Sequence, residues 1–163
     1  MLDFALIKDF MIFINNPKKL ASRVKFDTAQ GDDFLKIWAR SPRGTVGYAS
    51  GCISKDRLCL GDLKVDDSAP VSYPLANNFL VDLFGPYKNL NFRGLGIGSR
   101  LLHAFINAAK QLRIREIWGS VTEGGVKETP YLLDFYKRHG FSITEPDAEC
   151  MGHAKWKIVM RLD

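Results

Sequence analysis

Cysteine is scarce in this chain. Cys52, Cys59 and Cys150 are three in 163 residues, with no spacing that suits a disulfide framework or a metal cage. The odd count and the scatter lead us to expect a reducing, cytoplasmic setting; a tight hairpin would set Cys52 opposite Cys59, where the geometry allows a disulfide, but two buried thiols are the expectation. His103, His139 and His153 are equally scattered, so no metal is expected. No apolar run approaches the roughly 20 residues of a membrane-spanning helix, and no membrane partner is expected. The apolar first fourteen residues carry Asp3, Lys8 and Asp9 and lack a small-residue cleavage site, which does not read as a signal peptide. A basic arm or arginine tract is also missing. Lysines and arginines interleave with acids throughout, which argues against nucleic-acid binding.

What remains is an ordinary globular balance, 46% hydrophobic and 25% charged, with a net charge of +5 that favours anionic ligands. The length suits one domain over residues 1–163.

Arg93-Gly94-Leu95-Gly96-Ile97-Gly98-Ser99 is the densest glycine stretch, and a helix pattern begins inside it. Ile97, Leu101, Phe105 and Ala109 recur every four residues, with Leu102, Ile106 and Leu112 beside them. Glycines allow an anion close to the backbone. The first helical turn offers unpaired N–H groups and the positive end of the dipole. The combination reads as a pyrophosphate cradle. It is not a P-loop, because no lysine precedes Ser99. Nor is it a dinucleotide fingerprint: the spacing is Gly-x-Gly-x-Gly, and the residues before it are no clean apolar strand. Arg93, Gly96 and Gly98 match Arg/Gln-x-x-Gly-x-Gly/Ala instead.

A second motif lies one strand further on. Tyr131-Leu132-Leu133-Asp134-Phe135-Tyr136-Lys137-Arg138-His139-Gly140-Phe141 reads as an amphipathic helix stopped by a left-handed Gly140, with Phe141 opening a strand. Thr129 and Pro130 suit its N-cap and first position. In this order, over roughly residues 34–163, the two motifs resemble the GNAT N-acetyltransferase superfamily. The resemblance implies an α/β (α+β) fold, with a central mixed, mostly antiparallel sheet of about six to seven strands flanked by helices.

Residues 34–65 read as three strands joined by turns at 41–44 and 54–57. In the third, Leu58 and Leu60 share one parity while Leu63 and Val65 have the other. A single extra residue near Gly61–Asp62, a β-bulge, restores one face. The resemblance implies that this strand splays from its neighbour there. An insertion follows at about 66–92, with the rival register placing the loop-feeding strand at 78–84. A strand at 115–121, a loop at 122–128 and late strands at 141–143 and 156–162 complete the chain. Residues 1–33 are expected to hold one or two helices.

The resemblance further implies direct acetyl transfer from acetyl-CoA to a primary amine of a small molecule or peptide. Tyr136 falls at the family's acid position. Asp62 and Glu123 are candidate bases. Leu63, Val65, Arg93, Gly94, Gly96, Gly98, Ser99 and Thr129 are candidate cofactor residues. Thr129 stands where the family often has asparagine, and Arg100 is a further candidate for the phosphates. A backbone N–H near Val65 is the candidate oxyanion donor. The acidic loop Glu145, Asp147, Glu149 could attract a cationic amine. A non-catalytic acyl-CoA-binding or regulatory module, a phosphate-binding domain for another nucleotide, and a homodimer stay open.

Overall fold

The computed structural model describes residues 16–42, 44–66, 91–150 and 152–163. Most of the expected insertion, the rival strand at 78–84 and the first fifteen residues lie outside them. The described elements are α1 (Pro17–Ser22), β1 (Lys25–Gln30), β2 (Phe34–Ser41), β3 (Gly44–Ser54), β4 (Arg57–Val65) and α2 (Ile97–Gln111). They continue as β5 (Glu116–Thr122), α3 (Glu123–Glu128), α4 (Leu132–Arg138), β6 (Ser142–Thr144) and β7 (Ala154–Arg161). The seven strands form one sheet in the order β1-β2-β3-β4-β5-β7-β6. β4 runs parallel to β5, while β5–β7 and β6–β7 are antiparallel. This is the mixed sheet with flanking helices that the sequence led us to expect. No helix among the described residues is long and apolar enough to cross a membrane.

Contacts divide the chain into two units. One comprises Met1–Asp27, Trp38–Tyr48 and Lys64–Leu101. Its buried side chains include Leu20, Ala39, Val46, Phe92, Ile97 and Leu101. Asn16 caps α1 by accepting from Lys19 N–H at 3.2 Å, and Pro17 sits at the first helical position. Arg100 reaches from the first turn of α2 to donate to the carbonyls of Ala21 (2.8 Å) and Val24 (3.0 Å). Its guanidinium lies 5.2 Å from the Phe26 ring centroid. This arginine therefore staples backbone to backbone; it is not positioned by any of these contacts to meet phosphate.

The other unit comprises Thr28–Ile37, Ala49–Leu63 and Leu102–Asp163. α2 packs its four-residue stripe on the sheet here: a Cβ at Gly51 would sit 3.0 Å from both Phe105 and Leu58, so only glycine fits between them. Arg113, at φ +58°, ends the helix in the left-handed conformation, and Ile114 N–H closes back on Ala109 O at 3.0 Å. β5 alternates strictly, with Ile117, Gly119 and Val121 inward.

Four expectations need correction. Residues 123–128 are not a loop: Thr122 Oγ1 accepts from Gly125 N–H at 3.1 Å and nucleates α3 despite two glycines. Thr129 does not cap α4. It closes α3 through Thr129 N–H to Gly125 O (2.9 Å), and α4 starts at Leu132 with no side-chain cap. Cys52 is exposed and Cys59 half-buried, because both lie off the core-facing parity of their strands. The early region contributes a strand, β1, as well as a helix.

Candidate functional site

The glycine loop is held between two anchors, Phe92 and Ile97, each 1% exposed. Asn91 Oδ1 accepts from Arg93 N–H at 2.8 Å and turns the chain into the loop. Asn91 was not among the sequence candidates, although an asparagine two residues ahead of a turn is a recognisable Asx signal. Gly94 and Gly96 have φ of +74° and +75°, with nothing within 4 Å of where a Cβ would stand. Both are conformations that L side chains disfavour, and both open onto free space. Arg100 N–H makes the first turn's bond to Gly96 O at 3.1 Å. The N–H groups from Gly94 to Ser99 find no hydrogen-bond acceptor among the described residues. Such a row of N–H groups at the start of a 15-residue helix has the form of an anion nest. Gly94, Gly96, Gly98 and Ser99 supply its backbone, and exposed Arg93 stands at its rim.

Val65 closes β4 in the same unit. Gly47 admits the backbone of β4 so closely that a Cβ there would fall 2.5 Å from Lys64 O. Asp66 N–H bonds Val46 O at 2.9 Å, which removes it as an oxyanion donor. Counted from the two-residue turn at Lys55–Asp56, Val46 should face Val65. The bond from Asp66 shows one extra residue in β4. Burial agrees: Leu58 and Leu60 are buried, Gly61 and Asp62 are both exposed, and Leu63 and Val65 are half-buried on the opposite parity.

In the second unit β4 pairs with β5 over only three positions, Arg57↔Glu116, Leu58↔Ile117 and Cys59↔Trp118. β5 continues to Thr122 against β7, so the two parallel strands part after Cys59. Asp62 and Leu63 lie on the departing part of β4.

Tyr136 is 7% exposed and packs edge-to-face on Phe135 and Phe141 at 5.4 Å each. Its hydroxyl has no hydrogen-bond partner among the described residues. Burial, with a smaller contribution from the Asp62 carboxylate, pushes its pKa up to about 12. Tyr136 and Asp62 thus lie within electrostatic reach of each other. Glu123 is engaged elsewhere: it opens α3, exposed, in an ion pair with Lys127 at 2.8 Å.

The acidic loop is already neutralised. Glu149 takes both arms of the Arg57 guanidinium, and its Oε2 accepts from Lys157 Nζ at 3.0 Å. Asp147 accepts from the same Nζ at 2.5 Å, and Arg57 also holds Glu116. The Lys157 side chain is only 7% exposed, with its ammonium 5.0 Å from the Trp118 centroid. Hydrogen bonding to Arg57, then to Lys157, lowers the Glu149 pKa to about 2. These acids hold the β6–β7 connection on the sheet and leave only Glu145 without a described partner.

Residues 71–141 match the family described as Acetyltransferase (GNAT) family. A comparison with curated protein sequences finds no match. Among solved structures, the chain is similar to the PaiA N-acetyltransferase of Thermoplasma acidophilum, crystallised with coenzyme A. The likeness is 16% identity over 80% of this chain at a TM-score of 0.53, and this chain spans only 62% of that protein. A GNAT-family acetyltransferase from Staphylococcus aureus Mu50 gives 16% identity and 0.55, covering 80% of this chain and 68% of that one. The ribosomal-protein-S18-alanine N-acetyltransferase of Escherichia coli gives 18% and 0.50, covering 99% and 89%. The two motifs in order and the seven-stranded sheet agree with the match of residues 71–141 to the GNAT acetyltransferase family.

Proposed function

We propose that this chain transfers the acetyl group of acetyl-CoA directly to a primary amine. The observation that carries the reading is the nest at the start of α2. Two positive-φ glycines leave open space over a row of N–H groups without an acceptor among the described residues, which suits a pyrophosphate and excludes side chains. Gly94, Gly96, Gly98 and Ser99 would hold the phosphates by backbone, and Arg93 would add charge. Leu63 and Val65 would offer backbone groups along the departing part of β4.

Acetyl-CoA supplies an activated thioester, so the residues need to orient it and move protons. Tyr136 is the acid in this reading. Its raised pKa keeps the hydroxyl protonated and able to donate to a departing thiolate. Asp62, exposed and near Tyr136, is the preferred base, acting on the incoming ammonium directly or through water. Glu123 ranks behind it because Lys127 already pairs with it. Thr129 is assigned no more than a hydroxyl contact, since its backbone is spent on closing α3.

Calorimetric titration with acetyl-CoA, beside ATP and NAD, tests the reading. Micromolar binding of acetyl-CoA alone, abolished by Gly96→Glu in a folded protein, supports it. Equal binding of ATP or NAD, or none of acetyl-CoA, removes it. Thiol release with an amine panel then separates an enzyme from a binding module.

A further inference from the structure

Cys52 and Cys59 play no part in the chemistry proposed above, yet the hairpin places them together. β3 ends at Ser54 and β4 begins at Arg57, so counting back from the two-residue turn sets Cys52 directly opposite Cys59. A Cβ at Gly51 would lie 2.5 Å from Cys59 O, which confirms that these backbones are adjacent. Directly opposed residues of an antiparallel pair share a face and have Cα atoms roughly 4.5–5.5 Å apart. That falls within the range of about 4.4–6.8 Å that a disulfide spans. The two thiols are free, with Cys52 exposed and Cys59 half-buried.

The position adds a consequence. Cys59 is the last β4 residue paired with β5, opposite Trp118. A covalent tie at Cys59 would fasten β4 to β3 at the point where β4 leaves β5.

We propose that Cys52 and Cys59 form a reversible cross-strand disulfide, made by exchange with a low-molecular-weight disulfide, that fixes the mouth of the β4–β5 opening. Exposed Cys52, as thiolate, attacks one sulfur of the small disulfide and releases one small thiolate. Cys59, as thiolate, then attacks the Cys52 sulfur of the mixed disulfide and expels the second. The two cysteines lose two electrons and two protons, and the small disulfide gains them as two thiols. Burial, together with the neighbouring Cys52 and Cys150, holds the Cys59 pKa up, which leaves exposed Cys52 as the first attacker and Cys59 to the second, intramolecular step.

The test is the full chain incubated with oxidised glutathione, followed by intact mass, peptide mapping and hydrogen exchange. The expected product has lost two hydrogens and links the Cys52 and Cys59 peptides. It forms equally in Cys150→Ser, fails to form in Cys52→Ser or Cys59→Ser, and is reversed by dithiothreitol. Backbone exchange in β4 is expected to slow by about tenfold on oxidation. A glutathione adduct that persists on Cys52, a bridge to Cys150, or exchange unchanged by oxidation would each overturn the proposal.

Discussion

Phe141 donates its backbone N–H to the Tyr136 carbonyl at 3.1 Å while the two rings meet edge-to-face at 5.4 Å. With Gly140 N–H on Lys137 O at 3.0 Å and Gly140 at φ +90°, this is a complete Schellman corner. The residue that ends α4 and the residue that opens the next segment therefore fix the tyrosine from both main chain and side chain. The Tyr136 hydroxyl is left without a hydrogen-bond partner among the described residues.

Tyr136→Phe should consequently lower kcat by about 100-fold, within the usual range for losing a general acid. The KM for acetyl-CoA and the melting temperature should hardly change. Steady-state kinetics beside a thermal melt would check this, and a kcat close to wild type would remove Tyr136 from the chemistry.

The same hydroxyl makes a prediction about alkaline stability. The unfolded chain loses this proton near pH 10 and the folded one near 12. Between those values the unfolded state binds fewer protons, so stability is full below about pH 10 and falls as pH rises toward 12. Denaturant midpoints measured across pH 9–12 should show the fall, and Tyr136→Phe should flatten that part of the curve.

At the acid end the sign reverses. Glu149, held by Arg57 and Lys157, has its pKa lowered to about 2 from an ordinary 4.5. Its contribution is present above the ordinary value and is lost as pH falls through the window toward 2. Glu149→Gln should lower the melting temperature at neutral pH and shrink the difference from wild type as pH drops, with molar salt doing the same at neutral pH. The effect should be small, since both the carboxylate and Arg57 face solvent.

Two residues of the same sequence neighbourhood should separate by readout. Gly96→Ala forces an alanine into a left-handed conformation, costing roughly 1–2 kcal/mol, and sets a methyl in the nest. Acetyl-CoA affinity should fall at least tenfold in calorimetry. Arg100→Ala removes two charge-assisted bonds to carbonyls, each of which is typically worth about 1.5–3 kcal/mol. It should lower stability in denaturant while acetyl-CoA affinity per folded molecule stays within about twofold.

The parts of the fold visible in the sequence were those written locally. The α2 stripe, the Gly140 stop and the parity break in β4 each depend on residues within a few positions of one another. β1 left no such trace: Lys25–Gln30 has a mostly exposed pattern with no buried residue, so no alternation marks it. α3 was hidden by Gly124–Gly125, although Thr122 ahead of an acidic Glu123 was a cap signal in plain view. Mistaking the start of α4 followed from that, because Thr129 was free to be read as its cap only while α3 was a loop. The fates of Glu149 and Arg100 depended on partners 92 and 79 positions away. Charge pairing over such distances has no periodicity to betray it, so both looked like unoccupied surface charge.

The nest has a consequence for how this chain can vary. In the proposed reading, what Gly94–Ser99 would offer a ligand is main chain, and every amino acid with a backbone N–H provides the same donor. Selection on such a surface acts on torsion angles and empty space, which a few glycines and two buried anchors can maintain. The rest of the chain is released to drift so long as it delivers a helix to that spot. Proteins sharing only 16–18% of their residues with this one can therefore keep its sheet and helices. Substitutions that change backbone conformation in the loop should be far less tolerated than changes of side-chain chemistry around it.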